Sequence, residues 1–233
     1  MKKISVIFST FNEGGNIFFK NSLKSLKNDP SIEIIVIDYE STDDTETLCL
    51  DNDVIFIKTN LNSRARRLKL GLNYASAPMI LFHHPRSTIE PSGIEKLKKL
   101  HLSNIWGGFT HQFDHDSLVL KFTSWYSNRV RGYIRGILYL DHCIFSSRNL
   151  LNNINFPEVD IFEDTILSNE LRAITPPIIL PFQSLTSSIR FTKNGQFKQA
   201  LLNQVMKICF YLNIDHKLMN KIYEFGINLN SKY

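Results

Sequence analysis

The chain has 233 residues, 43% of them hydrophobic and 21% charged, enough apolar material for one sizeable core in one large domain. Ten glycines and eight prolines exclude collagen-like and disordered chains. A formal net charge of +5, with no dense basic run outside residues 64–69, argues against nucleic acid and suits an anionic ligand such as a nucleoside diphosphate, or an anionic membrane surface.

Cys49, Cys143 and Cys209 are far apart, odd in number and set in apolar surroundings, so they read as reduced, buried thiols of a cytoplasmic protein. The apolar run after Met1 is too short for a signal peptide. No stretch approaches the roughly 18 apolar residues of a membrane span. The expectation is a soluble chain or one peripheral to the inner face of a membrane.

In chain order, residues 4–8 are a β-branched run that predicts a buried strand, broken at 12–15. Residues 16–27 follow with helical spacing and stop at Asn28-Asp29-Pro30. Residues 33–38 predict a second strand, and Thr42-Asp43-Asp44-Thr45 a helix start with acids at its positive end. Residues 54–57 predict a third strand, 63–75 a basic helix and 79–82 a fourth strand. Further on, helices are expected at 92–100, 118–131, 163–172 and 196–212, and strands at 106–113, 142–145 and 178–180. The glycines of the first of these strands, Gly107 and Gly108, permit a bend or a close approach.

Strand and helix alternate at spacings of about 20 to 30 residues through the first ninety, the mark of right-handed βαβ units. The expected class is α/β: a mostly parallel sheet with helices on both faces. We expect one domain over 1–233, with a nucleotide-binding half at 1–102 and an acceptor half at 103–233. Ligands of such sheets sit beyond the carboxyl ends of the strands, so residues 9–13, 38–41 and 83–88 are the ones to inspect.

Three constellations carry candidate chemistry. Asp38, with Tyr39-Glu40-Ser41-Thr42-Asp43, either accepts hydrogen bonds from a base or ribose, or caps a helix in a plain turn. Arg64 and Arg67 lie on one helical face, where guanidinium forks suit diphosphate oxygens; a solvated basic face is the alternative. Glu163-Asp164 stands at a helix start, where the dipole alone could explain it; otherwise one carboxylate is a general base that takes a proton from an attacking hydroxyl.

Together these segments resemble the family-2 glycosyltransferases of the GT-A, Rossmann-like fold. The likeness is carried by Ile4-Ser5-Val6-Ile7-Phe8-Ser9-Thr10-Phe11-Asn12-Glu13, by Ile34-Ile35-Val36-Ile37-Asp38 with Ser41-Thr42-Asp43-Asp44-Thr45, by Ser63-Arg64-Ala65-Arg66-Arg67-Leu68-Lys69 and by Phe162-Glu163-Asp164-Thr165. With Gly107-Gly108-Phe109 and Asp141-His142-Cys143-Ile144-Phe145 added, the chain is most similar to the compact bacterial rSAM/selenodomain-associated transferases. The resemblance implies a nucleotide-sugar donor, UDP-linked, and an unknown hydroxyl acceptor. It implies Thr10 and Glu13 in the nucleotide pocket, Asp38 at base or ribose, and Arg64 with Arg67 near ribose or phosphates. It makes Asp164 the base of an inverting displacement, with Glu163 in support.

One part of the pattern is missing. The fourth strand of that family ends in an acidic motif that holds Mg²⁺ or Mn²⁺, whereas here it runs Leu81-Phe82-His83-His84-Pro85-Arg86-Ser87-Thr88 without a carboxylate. Hard cations want oxygen ligands, and neutral imidazoles serve them poorly. Three readings stay open. Arg86 neutralises the diphosphate without metal, or His83 or His84 helps to hold Mn²⁺, or the site has decayed into a non-catalytic nucleotide-sugar binder. Metal-free or impaired function is favoured, and no metal ligand is assigned. A histidine of the pair can also simply be buried and hydrogen-bonded. His111-Gln112-Phe113-Asp114-His115-Asp116 reads as a polar loop. Along 196–212, Phe197, Leu201, Val205, Ile208 and Leu212 share one side, which core packing explains most simply. A peripheral membrane face, flanked by Lys198 and Lys207 and serving a lipid-linked acceptor, is the second reading.

Overall fold

A computed structural model describes residues 1–100, 104–216 and 218–219. Its strands are β1 (Ile4–Thr10), β2 (Ile32–Tyr39), β3 (Ile55–Thr59), β4 (Met79–His83), β5 (Ser87–Ile89), β6 (Trp106–Phe113), β7 (Ile144–Ser147) and β8 (Ile178–Thr186). The helices are α1 (Ile17–Leu26), α2 (Thr45–Leu50), α3 (Arg64–Tyr74), α4 (Pro91–Lys98), α5 (Leu118–Trp125), α6 (Arg148–Leu151), α7 (Glu163–Ile174), α8 (Ile189–Asn194) and α9 (Gln196–Tyr211). A π-helical stretch, Tyr126–Ile134, prolongs α5, and a 3-10 turn spans Leu140–His142.

The strands form one sheet in the order β3-β2-β1-β4-β7-β6-β8-β5. β1 pairs in parallel with β2 and β4, β2 with β3, and β6 with β8; only β7 and β5 run the other way. The fold is thus the expected mostly parallel α/β sheet, with helices on both faces.

Alternation along β1 divides the core. Val6 and Phe8 pack with Phe19 and Leu23 of α1 and Leu97 of α4. Ile7 turns the other way and joins Ile35, Ile37, Leu68 of α3, and Leu167 and Leu171 of α7. Each such burial contributes roughly 1.5–3 kcal/mol. Gly71 lets α3 lie close on β1, since a Cβ there would stand 2.4 Å from the Ile7 side chain. That contact sets the height of Arg64 and Arg67 above the strand ends. Gly107 allows the expected close approach: a Cβ would lie 1.8 Å from the Ile178 carbonyl oxygen.

Several expectations are corrected. The last strand does not stop at residue 180. It runs to Thr186, because its register with β6 breaks between Phe109 and Thr110, and Pro181 sits in that irregularity where no ladder hydrogen bond is needed. Residues 87–89, for which no element was expected, form a short strand held by Thr186, Leu185 and Ser184. The stripe on α9 is not core: Phe197, Leu201, Val205, Ile208 and Leu212 all face outward, and the helix buries Gln199 and Met206 instead. No helix of the described residues is long and apolar enough to cross a membrane.

Candidate active site

The carboxyl ends of β1, β2 and β4 lie side by side, so the loops leaving them are neighbours on one edge of the sheet. Asp38, fully buried at the end of β2, anchors them. Thr10 Oγ1 donates to its Oδ1 at 2.8 Å, Ser41 Oγ to the same oxygen at 2.6 Å, and the Ser41 amide to Oδ2 at 2.7 Å. The Asn12 amide then donates to Ser41 Oγ at 2.7 Å. Hydrogen bonds to a buried charge are worth about 1.5–3 kcal/mol each, so the two loops are locked as one body. A donor reaches Asp38 itself only where Thr10 or Ser41 yields.

Helix α3 brings two arginines to that edge. Arg67, 7% exposed, donates from Nε to Ser9 Oγ at 2.7 Å and from Nη1 to the Leu61 carbonyl at 2.6 Å. Its guanidinium lies 5.5 Å from the Tyr39 ring. Burial, then the charge of Arg64, pulls its proton affinity down to about 10, so it is still a cation at neutral pH. Arg64 forms an ion pair with Glu163, which is 3% exposed in the first turn of α7. Ser63 Oγ adds a hydrogen bond to the Val159 carbonyl at 2.8 Å. The N-termini of α3 and α7 are therefore tied together across about 100 residues of sequence.

Asp164 stands beside that pair, in the same helical turn, and accepts from the Leu140 amide at 3.2 Å and the Thr165 amide at 2.8 Å. Burial, reinforced by the Glu163 and Asp141 carboxylates and opposed by Arg64, raises its carboxyl from 3.8 to about 7. A buried carboxylate poised near neutrality is what a general base requires.

The β4 end supplies Arg86 and the two histidines. Arg86 Nε lies 3.4 Å from the Glu13 carboxylate, and Asn16 Nδ2 donates to the same side chain at 2.8 Å. Burial raises the Glu13 carboxyl against the pull of Arg86. His83 is core: its ring lies 4.6 Å from that of Phe8, its Nδ1 meets the His84 carbonyl at 2.9 Å, and burial lowers it to about 4. His84 is also held neutral, by burial and then by Arg64, with Asp141 opposing and Arg86 and Arg190 adding to the depression. The Arg86 amide donates to its Nδ1 at 3.2 Å, so the neutral ring carries its hydrogen on Nε2.

These contacts and fields bring Thr10, Glu13, Asp38, Arg64, Arg67, His84, Arg86, Glu163 and Asp164 into one neighbourhood at the strand ends. The structure adds three residues. Arg190 on α8 reaches Glu13 and His84 with its field. Asp141 lies 3.6 Å from His111 Nε2. Burial opposes its ionisation, yet its carboxyl is held well below the ordinary carboxylate range by the surrounding His111, Arg131, His142 and His84, of which Arg131 alone is a cation at neutral pH because burial keeps the three imidazoles neutral. The sequence likeness marks Asp141 without a role, and nothing in the sequence marks Arg190 or His111 as part of that neighbourhood. Four of the six non-glycine residues with positive φ among the described residues border it as well: Asn12, Glu40, Cys143 and Phe162. Strain of that kind collects where side chains are held for function.

The residues present do not fit a site for Mg²⁺ or Mn²⁺. Glu13 and Glu163 are engaged by Arg86 and Arg64, Asp38 is enclosed by hydroxyls and an amide, and β4 ends in a neutral imidazole and a guanidinium. Among the described residues no three His, Cys, Asp or Glu side chains are grouped to hold a metal ion. The positive charge at the strand ends comes instead from arginines.

The family model described as Glycosyl transferase family 2 matches residues 5–152, more than half of the chain. No curated protein matches it significantly. Among solved structures, S. aureus TarS 1-349 superposes with a TM-score of 0.58 at 18% identity, over 80% of this chain and 60% of that one. The same TarS fragment in complex with UDP-GlcNAc gives 0.58 at 17% identity, over 80% and 58%. Glucosyl-3-phosphoglycerate synthase from Mycobacterium tuberculosis, in complex with Mn²⁺, UDP and glucosyl-3-phosphoglycerate, gives 0.56 at 18%, over 80% and 70%. The chain therefore spans about three fifths of the TarS fragment it matches, and at these identities the likeness concerns the fold.

Proposed function

The chain belongs to glycosyl transferase family 2, and on that premise we propose that it moves a sugar from a UDP-linked donor to a hydroxyl acceptor by a single inverting displacement. The observation that carries this reading is a buried carboxyl at the start of α7, Asp164, raised by burial and by Glu163 and lying in the field of Arg64, whose own field reaches His84 beside Arg86. UDP as the carrier is supported by the fold neighbours solved with UDP-GlcNAc and with UDP. The likeness of the Gly-Gly, Asp-containing and Glu-Asp segments to the rSAM/selenodomain-associated transferases supports the compact bacterial subfamily.

In this reading Thr10 and Asp38 form the floor under base and ribose, and Arg67 braces that floor from behind. Asp164 takes the proton of the acceptor hydroxyl as its oxygen bonds to the anomeric carbon. The bond from that carbon to the diphosphate oxygen breaks, and UDP leaves with the electron pair. Arg86, set by Glu13, meets the negative charge that develops on the leaving oxygens, with Arg64 and the Nε2–H of His84 beside it; such groups stabilise most where water is excluded. Glu163 orients Arg64 and keeps the Asp164 proton affinity near neutral. Residues 103–233 supply the acceptor side.

Substituting Asp164→Asn tests the assignment. Turnover of a UDP-sugar falls by at least a hundredfold, while UDP affinity measured by calorimetry stays within about twofold. Full turnover in the variant would remove Asp164 from the role of base. Saturable UDP binding without transfer or donor hydrolysis in the unaltered chain would favour a non-catalytic nucleotide-sugar binder.

The outward stripe of α9 supports a peripheral membrane contact and a lipid-linked acceptor. Leu118, Phe122 and Trp125 of α5 are exposed as well, and neither helix, nor the π-helical stretch between Tyr126 and Ile134, contains an aspartate or glutamate. Lys121, Arg129 and Lys198 accompany these apolar side chains, a pattern suited to anionic lipid.

A further inference from the structure

In a single displacement the attacking oxygen, the anomeric carbon and the leaving oxygen stand in line, so the sugar has to lie between the base and the groups that receive the diphosphate. Asp141 is tied to both ends of that line. On the base side, its neighbour Leu140 donates its amide to Asp164 Oδ2 at 3.2 Å. On the diphosphate side, the Asp141 carbonyl accepts from Ser184 Oγ at 2.7 Å and from Thr186 Oγ1 at 3.4 Å. Thr186 Oγ1 in turn lies 2.7 Å from the Oγ of Ser87, the residue after Arg86. Two residues further on, Cys143 turns the chain with a φ of 50°, and its thiol receives the His84 amide. The charge of Asp141 is felt at Asp164 and at His84 alike.

The main chain of Asp141 is fully engaged, and its carboxylate is not. Oδ1 is buried with no hydrogen-bond partner among the described residues, yet the side chain keeps 26% of its surface open. The nearest donor, His111 Nε2, stands 3.6 Å from Oδ2, too far for a hydrogen bond. Both ring nitrogens of His111 are themselves buried without a partner among the described residues, and that side chain is 1% exposed. Arg131 supplies counter-charge through its field, but its guanidinium stacks 3.4 Å from the centre of the Tyr139 ring and bonds Ser127 Oγ. The other two carboxylates of the site differ: Asp38 receives Thr10 Oγ1, Ser41 Oγ and the Ser41 amide, and Asp164 receives two amides. A carboxylate offers about four lone-pair positions, and leaving them unused away from water is costly. Asp141 is thus the acceptor that the protein itself leaves unfilled, at the place where the sugar lies.

We propose that Asp141 selects the donor sugar: its carboxylate accepts hydrogen bonds from hydroxyls of a neutral hexose held between Arg86 and Asp164. The inference rests on the glycosyl-transfer reading, which supplies the line along which the sugar is placed. Hydroxyls suit the position because they bring the donors that the carboxylate lacks, and hydrogen bonds to a charged acceptor are the strong ones. An acidic sugar suits it poorly, since its carboxylate would stand beside those of Asp141 and Asp164. Asp141 takes no proton and forms no bond to carbon in this role; it fixes the ring so that the anomeric carbon faces the acceptor hydroxyl.

The test is calorimetric titration of the full chain with UDP, UDP-glucose, UDP-galactose, UDP-glucuronate and the monodeoxy analogues of whichever hexose binds tighter. On the unaltered chain that hexose is expected to bind about tenfold more tightly than UDP, and UDP-glucuronate more weakly than UDP-glucose. One deoxy analogue is expected to lose most of the margin. Asp141→Asn is expected to remove the margin while UDP affinity, which also reports folding, stays within about twofold. The deoxy penalty should then vanish, a coupling between one hydroxyl and one side chain that a purely structural role does not produce. Equal loss of UDP and UDP-hexose in Asp141→Asn, a deoxy penalty that the substitution leaves unchanged, or tighter binding of UDP-glucuronate than of UDP-glucose would overturn the assignment. The analogue series needs no variant: if the unaltered chain binds UDP and gains nothing from either hexose, the sugar seat is wrong and the transferase reading stands. A chain that binds neither UDP nor any UDP-sugar would sink both.

Discussion

The burial that makes Asp164 costly to the fold is also what the proposed role of general base draws on. Its carboxyl is buried beside Glu163 and Asp141, so its charge is unwelcome, and its folded value of about 7 lies above the ordinary 3.8. At pH below that ordinary value both folded and unfolded chains hold the proton and nothing is lost. Between the two values the unfolded chain ionises first, and stability declines as pH rises; above about 7 the penalty is complete. Asp164→Asn removes it. The variant is expected to melt several degrees above the unaltered chain at pH 8, with the gap closing as pH falls toward 4. A variant that melts lower at pH 8, with the gap unchanged across pH, would mean that the carboxylate is satisfied and not strained. Activity of the unaltered chain is expected to fall below about pH 7, where the base is lost.

At the scale of elements, α5 and α9 carry the least conventional packing. Both turn large apolar side chains outward, Phe197 at 81% and Leu118 at 86% exposure. The double substitution Phe197→Ser, Leu201→Ser should cut sedimentation with phosphatidylglycerol-containing vesicles at least fivefold and leave the melting temperature nearly unchanged, because neither side chain contributes to the core. Unchanged sedimentation, or loss of folding, would contradict a membrane-facing role. This helix also shows how far sequence reasoning reached. Period 3.6 identified its apolar side but not whether that side faced the core, since Gln199 and Met206 fill the inner face instead. Strands β1 to β4 were readable because buried parallel strands are continuous β-branched runs. β8 was cut short by Pro181, which signals a strand end except at a register break. β5 is three residues long and has no pattern to read. In the candidate site, Thr10, Asp38, Arg64 and Asp164 stood in recognisable segments. Arg190 and His111 did not, because only the sheet order brings α8 and β6 to it.

For the whole molecule, the sheet order converts distance in sequence into contact. β1 and β2 fix Thr10 on Asp38, β4 brings Arg86 to Glu13, and α3 and α7 meet through Arg64 and Glu163. Where its family keeps an acidic metal motif, this chain has a guanidinium anchored by a buried glutamate. In the proposed function, diphosphate is therefore bound by arginine without a divalent ion. Calorimetric titration of UDP in excess EDTA, into the unaltered chain and into Arg86→Gln, tests it most directly. Saturable binding that EDTA leaves untouched, and that the substitution weakens by about tenfold or more, is the expected result. Binding that EDTA abolishes and Mn²⁺ restores, with Arg86→Gln indistinguishable from the unaltered chain, would contradict it.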